Sequence, residues 1–179
     1  MSKFQVLGID PGVRNLGFGV IEYDEEADSA LINRCGILKV PTKFKGNDAL
    51  MYMKDQLSLL FETNPFPDIN HVVIEIPRAI FGANFNVSSI IPVGVVGGML
   101  ATYFDTEKVT LANPSEWNRG RKKDKTLERI MSIYGDFDEW DFIERPKNKV
   151  HLEHIVDAIG MAHWKLSQFY DYEGYSSIV

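Results

Sequence analysis

FQVLGIDPGVRNLGFG, from Phe4 to Gly19, is the stretch whose reading decides the fold. Phe4 to Ile9 is an apolar run, which predicts a central strand buried on both faces. It ends on Asp10. Pro11 and Gly12 then break the strand, and a second apolar run follows at once. A carboxylate at the exit of a buried strand is expensive to place there unless it handles a cation or a proton. Asp10 is therefore the first candidate ligand of a metal site.

Outward from this stretch, Gly17 to Tyr23 predicts a hairpin partner and Ala30 to Val40 a third strand. Such short connections imply an antiparallel meander. Asp48 to Phe61 has helical spacing, and Asn64 to Pro67 ends it. His71 to Ile76, HVVIEI, predicts a fourth strand that joins the sheet parallel to the first. Pro77 to Phe85 reads as a loop. Asn86 to Phe104 reads as an uncharged helix with Pro92 in or near its first turns. Lys108 to Ala112 predicts a fifth strand, and Lys125 to Tyr134 and His151 to Phe169 predict two helices. Gly135 to Asn148, acidic then basic with Phe137, Trp140 and Phe142, receives no assignment. No repeat or linker divides the 179 residues, so a single domain over 1–179 is expected.

The composition is that of a globular chain: 45% hydrophobic and 25% charged residues. The chain enters its first strand without a secretory-type leader, and its one cysteine, Cys35, forms no internal disulfide. Both point to a reducing cytoplasm. The uncharged helix carries Asn86, Pro92, Gly94, Gly97 and Gly98, which suit a buried or interface helix better than a membrane span. A net charge of −6 argues against coating nucleic acid by bulk charge. It leaves room for a nuclease, whose metal ligands add carboxylates to the count.

Two further acids stand out. Glu75 interrupts the fourth strand near its C-terminal end. If that strand lies beside the first, Asp10 and Glu75 emerge at one sheet edge, where ligand sites of open α/β sheets form. Asp157 lies in IVDAIGMAHW, Ile155 to Trp164, which has no other acid and no Lys or Arg. It sits round from the apolar face of its helix, with His154 three residues earlier on the same side. Three hard oxygen ligands with an imidazole suit Mg²⁺, with Mn²⁺ as substitute, and a carboxylate cluster with room for two ions serves in-line phosphoryl transfer.

These residues resemble the RuvC family of Holliday-junction resolvases in the RNase H-like superfamily. GIDPGVRNLGFGVIE, Gly8 to Glu22, is similar to the opening motif of the family. VVIEIP, Val72 to Pro77, is similar to the second and HIVDAIGMA, His154 to Ala162, to the last. The resemblance implies an α/β, RNase H-like five-stranded mixed sheet flanked by helices, and a homodimer. It also implies paired Mg²⁺-dependent nicks across a four-way DNA junction, leaving 5′-phosphate and 3′-hydroxyl ends. Asp10, Glu75, His154 and Asp157 would be catalytic and metal-binding, His154 standing where many members carry an acid. The compact, divergent form resembles a phage or viral member, which would place it in the host cytoplasm.

For DNA contact the candidates are Arg119, Arg121, Lys122, Lys123 and Lys125, the strongest basic run of an acidic chain, together with Arg14 beside Asp10. In the loop after Glu75, Arg78 stands where the family often carries a junction-stacking aromatic, a departure from the pattern, and Phe81 and Phe85 nearby are the candidates for that role. Three alternatives compete: a nuclease of the same superfamily acting on other branched DNA, flaps or RNA–DNA hybrids; a fragment of an actin-like or sugar-kinase-like ATPase; and an inactive DNA-binding scaffold.

Overall fold

Pro11 and Gly12 turn the chain so tightly that a Cβ on Gly12 would lie 2.1 Å from the Asn15 carbonyl oxygen. The strands on either side, β1 (Lys3–Asp10) and β2 (Asn15–Asp24), pair antiparallel with Asp10 opposite Gly17. This is the hairpin expected from the sequence. β3 (Ser29–Lys39) adds antiparallel to β2. The computed structural model describes residues 3–63, 68–76, 87–118 and 123–170.

Helix α1 (Asn47–Thr63) buries Ala49, Met53, Leu57 and Leu60, one stripe at helical spacing. It carries the chain across to β4 (Ile69–Glu75), which pairs parallel with β1. Helix α2 (Val87–Ala101) then leads to β5 (Val109–Ala112), parallel to β4. The sheet order is β3-β2-β1-β4-β5. It is the five-stranded mixed sheet expected, with helices on both faces. Pro92 lies inside α2, just past its first turn. No helix among the described residues is long and apolar enough to cross a membrane.

The chain continues through a short helix absent from the expectation, α3 (Pro114–Trp117), then α4 (Lys123–Tyr134) and α5 (Lys149–Phe169). Pro114 begins α3, and Asn113 and Glu116 cap it reciprocally. Asn148 caps α5 by accepting a hydrogen bond from the His151 amide at 3.0 Å.

Side chains alternate across β1. Val6 enters the core beneath α4 and α5, whereas Leu7 and Ile9 enter the core beneath α1 and α2. The strand reads as uniformly apolar because both faces are covered.

The unassigned stretch 135–148 contains a single 3₁₀ turn, Phe137–Glu139, and then runs beside β3. The Cys35 amide donates to the Asp141 carbonyl at 2.9 Å, and the Ile143 amide donates to the Cys35 carbonyl at 2.9 Å. Phe137, Trp140 and Phe142 form one aromatic cluster, with Trp140 buried in the core.

Candidate active site

The register of β1 against β4 runs Leu7 to Val72, Gly8 to Val73 and Ile9 to Ile74. The next position on each strand is Asp10 and Glu75. Neighbouring strands lie about 4.8 Å apart, so the two acids leave the sheet side by side. They follow Gly8 and Val73 in the strand alternation, which turns both toward the α5 face. Val73 confirms that side by its place in the core beneath α5.

Helix α5 reaches this edge because glycines stand where its backbone crosses β1 and β2. A Cβ on Gly8 would lie 1.9 Å from the Ala158 carbonyl oxygen, and one on Gly17 would lie 2.2 Å from that of His154. On Gly19 it would meet the Ile159 side chain at 2.5 Å. The helix backbone thus rests on a glycine floor formed by β1 and β2, with His154 over the Asp10–Gly17 pair and Ala158 one turn further on.

That seating brings His154 to Asp10. The imidazole Nδ1 lies 2.5 Å from Asp10 Oδ2, and Asp10 is 8% exposed. A carboxylate accepts, so Nδ1 carries the proton and Nε2 is the basic ring atom. Glu75 is half-buried and accepts a hydrogen bond at 2.9 Å from the indole N–H of Trp117.

Asp157 is also 8% exposed, which rules out a solvent-facing aspartate. It lines a small cleft between α4 and α5 with Asp124, Lys149 and Glu153. Lys149 donates to Asp124 at 2.9 Å across that cleft.

Asp10, Glu75 and His154 therefore gather at one end of the sheet on the α5 face, while Asp157 lies on α5 and lines the α4–α5 cleft. Among the described residues no three His, Cys, Asp or Glu side chains already converge on one point. The donor set itself, carboxylate oxygens with one imidazole, has the chemistry of a Mg²⁺ or Mn²⁺ site.

The DNA-contact candidates divide. Arg14 donates to the Pro41 carbonyl at 3.1 Å, at the rim of the Asp10 turn. Lys125, exposed on the first turn of α4, pairs with Glu128 at 2.7 Å, which holds its ammonium above the usual lysine range. Lys123 opens α4. Arg78, Phe81, Phe85, Arg119, Arg121 and Lys122 lie outside the described residues.

Trp117 is the residue that sequence reasoning undervalued. It is buried at 6% exposure. Its polar edge, however, is on Glu75. The available signal was general: a buried indole N–H seeks a partner, and the nearest acids were already candidates.

With this geometry in hand, the chain superimposes on Thermus thermophilus RuvC solved in complex with a Holliday junction substrate. The TM-score is 0.62 at 18% identity, over 90% of this chain and 92% of that one. The fold is that of RuvC. The fowlpox virus resolvase, solved with Holliday junction DNA, matches with a TM-score of 0.54 at 16% identity, over 93% of this chain and 99% of that one. The yeast mitochondrial Holliday junction resolvase matches with a TM-score of 0.60 at 14% identity, over 97% of this chain and 84% of that one. No family model and no curated protein sequence matches the chain. The likeness in fold extends over 90–97% of this chain at 14–18% identity.

Proposed function

We propose that this chain is a structure-selective DNA endonuclease that resolves four-way junctions by paired, divalent-metal-dependent nicks leaving 5′-phosphate and 3′-hydroxyl ends. The observation that carries the proposal is the placement of Asp10 and Glu75 side by side at the edge of a RuvC-like sheet, with His154 held on Asp10.

Asp10, Glu75 and Asp157 would hold Mg²⁺, with Mn²⁺ as substitute and two ions per site, and His154 would complete the set. Bound there, the metal supplies an activated water and stabilisation of the leaving oxygen. The chain's own residues do the rest. Asp10 holds the Nδ1 of His154, which leaves Nε2 as the ring's one lone pair, available to a metal ion or, with the metal held by the three acids, to the proton of the attacking water. Asp10 and Asp157 are each 8% exposed, so little of either carboxylate is lost to bulk water. Arg119, Arg121, Lys122, Lys123 and Lys125 contact phosphates, with Arg14 at the rim, and Arg78, Phe81 and Phe85 contact the junction beside Glu75.

A homodimer supplies the second nick. Ile91 and Val95 of α2 are 60% and 41% exposed, and Cβ atoms on Gly94 and Gly98 would meet nothing within 4 Å. An apolar helix face with close-approach glycines suits packing on its twin across a two-fold axis. The chain acts as one domain in the cytoplasm, the host's if it is phage-encoded.

The test is cleavage of a labelled synthetic four-way junction in Mg²⁺ beside linear duplex, flap and RNA–DNA hybrid, with Asp10→Asn as control. Symmetric paired nicks confined to the junction support the proposal. Cleavage of flaps or hybrids with the junction spared moves the chain to another nuclease of this fold.

A further inference from the structure

Trp117 touches one candidate acid, Glu75, and the helix that carries another, Asp157. Its chain position follows from β5: Ala112 pairs with Glu75, and the capped turn of α3 returns the chain so that Trp117 faces the same glutamate. The indole N–H donates to Glu75 Oε2 at 2.9 Å. The six-membered ring lies against α5 where that helix has no side chain. A Cβ on Gly160 would be 2.9 Å from one ring carbon and 3.4 Å from another. Gly160 is three residues beyond Asp157, on the same helix. The next residue, Asn118, accepts a hydrogen bond from Thr126 of α4 at 3.4 Å, just before the basic run begins.

We propose that Trp117 is a positioning residue for the metal site: its indole N–H sets the rotation of the Glu75 carboxylate, and its ring sets the spacing between β4 and the Asp157 turn of α5. The inference rests on the nuclease reading above. A tryptophan does this where a phenylalanine cannot, because the large ring fills the gap over Gly160 while the N–H satisfies the acid. It also ties the acid to the start of the DNA-contacting segment, since Trp117 and Asn118 are adjacent.

The test uses the full chain with ¹⁵N-labelled indoles. The sequence has three tryptophans, Trp117, Trp140 and Trp164, so three indole signals are available. Trp140 donates to the Gly135 carbonyl at 3.3 Å, away from Glu75, and serves as reference. On titration with Mg²⁺ the Trp117 signal should move and saturate while the Trp140 signal stays. Asp10→Asn should abolish the movement. Trp117→Phe should weaken Mn²⁺ affinity about tenfold, in the range of losses seen when a residue orienting a ligand is removed. Junction binding in Ca²⁺ should be unchanged, and in a Glu75→Gln background only a smaller further loss, from the unfilled gap over Gly160, should appear.

Wild-type Mn²⁺ affinity in Trp117→Phe, or an equal loss in the Glu75→Gln background, overturns the positioning role and leaves the nuclease reading intact. If Trp117→Phe does not fold, an unmoved Trp117 signal in the wild-type titration overturns it instead. Failure of the wild-type chain to bind Mn²⁺ overturns the nuclease reading and this inference together.

Discussion

Gly8 on β1 and Ala158 on α5 are in such close register that a Cβ on the glycine would lie 1.9 Å from the alanine carbonyl oxygen. Both partners are backbone, so neither can swing aside. Gly8→Ala should therefore lift α5 off the sheet and cost at least about 3 kcal/mol, the upper range for overpacking. Gly94→Ala, in α2 with nothing within 4 Å of its Cβ, should add about 1 kcal/mol to a monomer through helix propensity. Urea denaturation of the two variants checks both signs. If α2 packs on a second copy, Gly94→Ala should also weaken the dimer by sedimentation.

Removing a proposed ligand should separate binding from cutting. Asp10→Asn and Asp157→Asn each keep shape and hydrogen-bonding capacity but lose the charge that attracts a cation. Loss of a residue that merely orients a ligand costs 10–100-fold, so each variant should cut a four-way junction more than about 100-fold slower. Junction affinity in Ca²⁺ should stay within a few-fold of wild type. Gel-shift and single-turnover cleavage measure the two quantities side by side.

The basic run should act through phosphates alone. Replacing Arg121, Lys122 and Lys123 with Ala should weaken binding to junction and duplex alike. Each lost phosphate contact removes about 0.9 from the slope of log affinity against log salt, so the triple variant should flatten it by up to about 2.7. Filter binding between 50 and 200 mM salt reads the slope. An unchanged slope removes this segment from the interface.

His71, at the start of β4, predicts a pH dependence unrelated to catalysis. Its ring bonds to the Thr110 hydroxyl at 2.8 Å, packs near Phe169 and faces Lys165. Burial, with a smaller contribution from Lys165, pushes the imidazole down from 6.5 to about 4. Between those values the unfolded chain binds a proton that the folded chain does not. Stability should fall as the pH drops from about 6.5 toward 4, and this contribution should level off below. His71→Gln keeps a partner for Thr110 and should flatten the change in urea midpoint between pH 7 and pH 5.

Cys35 should be silent in the folded protein. It is fully buried, and burial raises its thiol to about 12, with the nearby Asp141 adding to the shift. A thiolate is the reactive form. Native protein should resist a thiol-reactive dye at pH 8 and label fully in denaturant, so labelling rate reports opening of the β3 edge.

Much of this was legible from spacing because the site is built from strand ends and one helix. Asp10 and Glu75 each close an apolar run, and their register follows once β4 is parallel to β1. Asp157 was singled out by the scarcity of charge around it, and His154 by lying three residues before it on the same side of the helix. Burial alone would have misled. Glu22 is also 8% exposed, yet Lys3, Gln5 and Asn33 satisfy it toward the opposite end of β1. The Trp117 contact was not legible, because it depends on a four-residue helix returning the chain to β4. Nor was the course of 135–148, whose pairing with β3 joins residues more than 100 positions apart and follows no local period.

That last segment has a consequence for how the molecule behaves in a crowded solution. β3 is an 11-residue outer strand, long enough to template another chain by its unpaired amides and carbonyls. Residues 141–143 occupy its middle, taking both backbone groups of Cys35. Lys39 and Arg34 flank the occupied position, each ion-paired to an acid of the same covering segment, Glu144 and Asp141. The strand is thus stoppered from within its own chain. Loosening the stopper, for instance by replacing Phe142 with Asp, should bare the middle of β3 and drive edge-to-edge assembly.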